Sequence, residues 1–189
     1  MNGLGRRSAL IGLGVSLTGC VASGPIAVTQ SNVDAAYGKK LKRVVVAISV
    51  HSAKLTKEQN LTLLQVAELK QSFDTKWGAL GISVDVIDVD GFGDKARVIG
   101  DAVARFGAEQ WLALESEWIL KEIQAVRAYG IAASLYDVAT GKRIWRATTQ
   151  LPDFWRSSGH DLVIKLGRQN AADHYVDSLT EKLRADGLL

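Results

Sequence analysis

Arg43-Val44-Val45-Val46-Ala47-Ile48-Ser49-Val50 is a short β-branched run, and its reading decides the fold. A strand with one face in water alternates apolar and polar residues, whereas a strand buried on both faces runs apolar throughout. The run therefore predicts a central strand. Next, Thr56 and Gln59 form the S/T-x-x-E/Q pattern of a capping box. Leu61, Leu64 or Gln65, Leu69, Phe73, Trp77 and Leu80 then recur at roughly helical spacing, an amphipathic helix that must pack on a sheet. Gly81 ends it, and Ile82 to Asp90 alternates with period two, as a half-buried strand does. Asp94 can cap a second helix whose Val98, Ile99, Ala102, Val103 and Phe106 share one face, and Trp111-Leu112-Ala113-Leu114 opens a third strand. The order βαβαβ favours parallel pairing with right-handed crossovers.

Farther along, Tyr129 to Asp137 and Arg143 to Thr149 are strand-like runs joined by Val138-Ala139-Thr140-Gly141-Lys142, where Gly141 supplies the positive φ of a tight hairpin. A loop from Pro152 to Gly159 leads to a last helix with Leu162, Leu166, Tyr175, Val176, Leu179 and Leu183 apolar. Gly187-Leu188 fits a Schellman-type stop. The expected fold class is α/β, a mixed sheet of roughly βαβαβββα with helices packed on it in two or three layers. The 189 residues, 47% apolar and 23% charged, suit one such domain and a short extension.

The N-terminus differs from the rest. Arg6 and Arg7 give a positive start, Leu10 to Leu17 run apolar, and no acid precedes Asp34. This is the layout of a secretory signal, too short for a bilayer-spanning anchor of about 20 apolar residues. Leu17-Thr18-Gly19-Cys20 resembles the lipobox of bacterial lipoproteins, in which a peptidase cuts before a cysteine lipidated through its thiol. Cys20 is the only cysteine, so no disulfide can form within one molecule. The expected organisation is a signal peptide over 1–19, lipidated Cys20 and a flexible tether over 20–40, and an α/β envelope domain over 41–189. Val21 beside the cysteine, with no Asp there, resembles lipoproteins released to the outer membrane, facing the periplasm. Arg6-Arg7 leaves both the general secretory and twin-arginine routes open.

Cleavage before Cys20 removes two arginines, taking basic residues from 23 to 21 against 20 acids, so the net charge falls from +3 to +1. A near-neutral surface offers no electrostatic basis for nucleic-acid binding. Lys39, Lys40, Lys42 and Arg43 form the one basic run. It is expected to be a solvated entry to the first strand, with contact to anionic head groups as the sharper alternative.

The βαβα start, the hairpin from Leu135 to Trp145 and the closing helix resemble a known domain family. It is shared by the curli-secretion lipoprotein, the penicillin-binding-protein activator lipoproteins and the N-terminal domain of the Tol-system periplasmic protein. The resemblance covers most of residues 41–189, and its motif is an apolar strand ending in Asp137-x-x-Thr140-Gly141-Lys142 and then Trp145. It implies a noncatalytic role in binding or assembly in the cell envelope. The chain has no pore-forming insertion of alternating strands, which argues against a channel.

Several clusters carry the residue types of a reactive or ligand-binding site, and each has an ordinary structural role beside it. Gly91-Phe92-Gly93-Asp94-Lys95-Ala96 matches G-x-G-x-x-A between a strand and a helix, the setting of a dinucleotide fingerprint. Yet it follows the second strand, and Asp94 occupies the helix start that phosphates would need, so a turn with an Asp cap is expected. His51, His160 and His174 lack metal-ligand spacing, and Ser157 to Asp161 holds triad residue types without relay geometry. Asp88 and Asp90 share a face that Asp85 does not, a solvated strand end lacking the remaining ligands of a calcium loop. Glu115 and Glu117 share a strand face and would be the acids of a hydrolase if they converged in a concave pocket.

Five tryptophans exceed what the core pattern uses. Trp77 and Trp111 are expected in the core, whereas Trp118, Trp145, Phe154, Trp155 and Arg156 are candidate partner contacts near strand ends and loops. The functional expectation is a membrane-anchored envelope lipoprotein that binds another envelope protein or itself, with no cofactor, metal or catalytic residue. The alternative is an envelope enzyme using Glu115, Glu117 or the Gly91 to Ala96 turn.

Overall fold

The computed structural model describes residues 27–51, 54–57, 64–91, 93–122, 125–152 and 161–189. The elements are β1 (Ala27–Val33), β2 (Arg43–Ser49), α1 (Val66–Ala79), β3 (Ser83–Asp88), α2 (Lys95–Phe106), β4 (Gln110–Glu122), β5 (Ala125–Asp137), β6 (Arg143–Pro152) and α3 (Asp161–Ala185). Six strands form one mixed sheet in the order β1-β6-β5-β4-β2-β3, with three helices packed on it. β2 is parallel to both β3 and β4, and β4, β5, β6 and β1 continue antiparallel. The expected α/β class and the central place of the Val44–Ile48 run are thus observed.

β2 is covered on both faces. Val44, Val46 and Ile48 join the main core with Leu69, Phe73 and Trp77 of α1 and Tyr175, Val176, Leu179 and Leu183 of α3. Val45, on the opposite face by strand alternation, packs with Ala102 of α2 and Ala108. On the main face, Phe73 and Trp77 meet edge to face at 4.8 Å, and the Trp77 indole N–H donates to Thr180 Oγ1 at 2.9 Å. Tyr129 lies in the same core, its hydroxyl accepting from the Leu64 amide at 3.1 Å, and burial pushes that phenol well above its ordinary range. On the other face only Ala102 of α2 is fully buried. That helix leaves an apolar groove of about 420 Å³ beside Trp111 and Val138.

Several sequence expectations need correction. The segment read as tether contains β1, which pairs with β6 from Ala27↔Gln150 to Val33↔Trp145. A polar, short edge strand needs only one paired side, so its sequence carries no strong period. Lys57, directly after Thr56, is helical, where the Thr56–Gln59 box predicts a helix start, and Gln59 and Leu61 lie outside the described residues; α1 itself has Gln65 at its N-cap with no side-chain cap bond. Leu80, at the C-cap, is exposed. Trp111 is half-buried, stacked on Tyr136 at 4.3 Å across the β4–β5 pair. The basic run is the solvent-exposed entry to β2 that was expected, and three of its cations also bond within the fold: Lys39 pairs with Asp137, Lys40 donates to the Gly187 and Leu189 carbonyls, and Arg43 donates to the Phe106 carbonyl.

Asp137 ties the hairpin to the N-terminal segment. Its buried carboxylate accepts from the Thr140 amide and hydroxyl at 3.0 and 2.8 Å, Lys39 Nζ at 3.1 Å and Tyr37 Oη at 3.2 Å. Gly141 sits at φ +65°, as the turn requires. Burial alone would raise the Asp137 carboxyl, but the Thr140 and Lys39 hydrogen bonds outweigh it and hold it below the usual carboxylate range. A depressed folded pKa gives stability that is present above the unfolded value of about 3.9 and lost as pH falls through the folded pKa. Asp137→Asn is expected to cost roughly 1–3 kcal/mol at neutral pH by removing the negative charge and replacing one of the two accepting oxygens with a donor. In urea melts, the gap to the unsubstituted protein should close as pH is lowered below about 4; a pH-independent gap would show that the carboxylate charge contributes nothing.

Candidate functional site

The carboxyl ends of β2 and β4 open onto a cleft of about 570 Å³ lined by Ser49, His51, Lys54, Lys95, Glu115, Ser116, Glu117, Trp118 and Ile119. β2 connects through α1 to β3 on one side, and the chain returns through α2 to β4 on the other. Open α/β sheets bind ligands outside the carboxyl ends of parallel strands at such a reversal. Ser49 is opposite Glu115 in the β2–β4 register, so both walls start at one level.

One wall is ordered by Asp90, just past β3. Its carboxylate accepts from Ser49 Oγ at 2.8 Å and the His51 amide at 2.9 Å, and lies 3.8 Å from His51 Nδ1. Lys95 Nζ, at the start of α2, donates to the same Ser49 hydroxyl. This Lys95–Ser49–Asp90–His51 chain was missed by sequence reasoning. Its only signal there was the shared face of Asp88 and Asp90. Asp88 turns back to accept from the Asp90 amide at 2.9 Å.

The other wall comes from an irregularity in β4. The pairing with β5 shifts between Ser116↔Ile131 and Trp118↔Gly130, leaving Glu117 as the extra residue of a bulge. Ile131 points into the main core, so Gly130 faces the α2 side. The Trp118 indole lies across Gly130, where an added Cβ would come within 2.3 Å of its nitrogen. Simple alternation would place Trp118 opposite Glu117; the bulge instead brings Glu115, Glu117 and Trp118 to one cleft. Glu117 reaches over β5 to Arg146 at 2.6 Å and Thr148 Oγ1 at 3.1 Å on β6.

The sequence-predicted residues separate as follows. Trp118 is exposed, at 38%. Trp145 is not a surface contact: it is 1% exposed and its indole N–H donates to Asp186 at 2.7 Å, because its β6 position faces the core beneath α3. Phe154, Trp155, Arg156, His160 and Cys20 lie outside the described residues. Glu115 and Glu117 do line one concave cleft, but both are solvent-exposed, and Glu117 is committed to Arg146. Gly91 has φ +81°, and Asp94 accepts from the Arg97 amide at 3.0 Å. The Gly91–Ala96 turn is thus a capped helix entry with the carboxylate where a phosphate would bind. Among the described residues, no group of His, Cys, Asp and Glu side chains could hold a metal ion.

No protein-family model and no curated protein matches the sequence. Solved structures are similar in fold. The PelC dodecamer from Paraburkholderia phytofirmans matches with a TM-score of 0.48 at 18% identity, over 82% of this chain and 95% of that one. Lipoprotein GNA1162 from Neisseria meningitidis matches at 0.41 and 12% identity, over 76% and 99%. The LpoB C-terminal domain from Salmonella enterica matches at 0.29 and 19%, over 60% and 84%.

The Gly130–Trp118 contact is testable. In Gly130→Ala the indole must leave its seat, which an exposed ring can do by swinging into solvent, so stability should fall by no more than about 1 kcal/mol. The Trp118 indole N–H resonance should shift and exchange faster with water. An unchanged resonance would mean that Gly130 does not seat the ring.

Proposed function

We propose that this chain is a noncatalytic binding module of the bacterial cell envelope, lipidated on Cys20, with the cleft at the ends of β2 and β4 as its contact site. The observation that carries the binding reading is the open Trp118 indole beside a Glu117 carboxylate already neutralised by Arg146. A hydrolase needs two carboxyls in contrasting environments, one kept protonated by burial. Here both acids stand at exposed positions and one is ion-paired. An accessible aromatic ring with charged neighbours is the chemistry of recognition.

The anchor rests on the basic start, the apolar run and the Leu17-Thr18-Gly19-Cys20 motif. Because β1 begins at Ala27, only six residues separate it from Cys20. At 3.3–3.6 Å per residue, this linker holds the start of the sheet within about 25 Å of the acylated cysteine. The contact site would thus work close to the membrane, and the absence of Asp after Cys20 favours the outer membrane.

Cys20→Ser is expected to abolish labelling by a fatty-acid analogue and to leave uncleaved precursor; unchanged labelling and processing would refute the anchor. Crosslinking in intact membranes at native expression should recover an envelope protein or a self-oligomer, and Trp118→Ala should reduce the yield. Recovery of neither would count against the module.

A further inference from the structure

We propose that the cleft takes an extended segment of a partner polypeptide, added as a strand to β4 beyond Glu115 in the place that β2 vacates. This rests on the binding reading of the cleft but not on the lipid anchor. β2 pairs with β4 only from Val44↔Gln110 to Ser49↔Glu115, yet β4 runs on to Glu122. The chain after β2 is drawn toward the far side, because the Asp90 carboxylate beyond β3 accepts from Ser49 Oγ and from the His51 amide. Ser116 Oγ donates to the Val50 carbonyl, so a side chain takes the first carbonyl past the paired residues. Among the described residues, no strand pairs with β4 on that side from Ser116 onward. β5 likewise loses β6 at Ala128↔Pro152, and the β4–β5 pair projects beyond both neighbours.

The lining of the cleft follows this edge. Glu115, Ser116, Glu117, Trp118 and Ile119 are consecutive, and all five line it. Successive side chains of a strand point to opposite faces, so a pocket over one face would not meet them all, whereas a pocket along the edge does. Glu115, Glu117 and Trp118 stand on the α2 side, and Ile119 packs against the main core. An open edge turns backbone N–H and C=O groups outward in alternation, and another extended backbone repeats donors and acceptors at the same spacing. From Ser116 to Leu120 the edge is about 17 Å long at ~3.4 Å per residue, room for a segment of about five residues. The bulge at Glu117 twists the edge, which keeps the pairing short. Beside the half-buried Ile119, and beside Trp118 and Leu120, which are 38% and 57% exposed, β-branched side chains of the added strand would find apolar cover.

The test is titration of the full-length lipidated protein in detergent micelles with acetyl-Thr-Val-Thr-Val-Thr-Val-amide, following the backbone amides of Ser116 to Leu120 by resonance shift and hydrogen exchange. Two analogues carry N-methyl groups on one edge, at the second and fourth or the third and fifth residues, and a third carries all four. The amides that β4 turns away from β5 should exchange freely at first and become protected as the peptide saturates its site. At least one single-edge analogue should keep the parent affinity, and the analogue methylated on both edges should bind at least about tenfold more weakly. Protection of all these amides before peptide is added would mean that the edge is already paired, and would overturn the proposal. So would saturable shifts without new protection, equal binding of the fully methylated peptide, loss of binding by both single-edge analogues, or no saturable shift at millimolar concentrations. If membrane crosslinks that depend on Trp118 persist when the peptides are silent, the module stands and only the strand assignment falls.

Discussion

β2 is hydrogen-bonded to a parallel neighbour on each side and covered by helices above and below, and the rest of the fold takes its position from that strand. Val44, Val45, Val46 and Ile48 are all fully buried, with alternate side chains reaching opposite helix layers. Parallel pairing on both sides forces a helical crossover to β3 and a second one back to β4. That reversal puts the ends of β2 and β4 side by side at the cleft. The open place on the molecule is thus a consequence of how the central strand is buried.

What fills the opening depends on a second constraint, the extra residue in β4. A regular strand would send Trp118 to the face opposite Glu115. With Glu117 bulged, both carboxylates and the indole share one face, and Gly130 on the neighbouring strand leaves the space in which the ring lies flat. Glu117 then spans the low ground of β5 to reach Arg146. The wall is rigid on one side through this ion pair and on the other through the Lys95–Ser49–Asp90 chain.

The N-terminal segment is built into the fold through polar contacts. β1 adds to β6, Val28 donates its amide to Ser178, and Tyr37 and Lys39 converge on Asp137. Gln110, fully buried at the start of β4, donates to the Tyr37 hydroxyl at 2.8 Å and joins the same cluster. These contacts use donors and acceptors that, seen in sequence, look like tether and solvated surface. With the Lys40 and Arg43 bonds to backbone carbonyls, the Lys39 pair also gives three of the four cations between Lys39 and Arg43 partners within the fold.

The sequence by itself determined the architecture where a periodic pattern had one physical meaning. The apolar run of β2, the Leu69-Phe73-Trp77 stripe, the Asp94 and Gly187 helix ends and the Gly141 turn are local signals, and each element formed where those signals stand. Only the tertiary structure decided the rest, because it depended on partners distant in the chain. β1 became a strand through its pairing with β6, and Trp145 was buried by a helix forty residues away. Trp118 stayed open because a bulge and a glycine on the next strand hold it there. Glu115 and Glu117 illustrate both sides: alternation correctly put them on one face, but Arg146, two strands over, pairs with Glu117 alone.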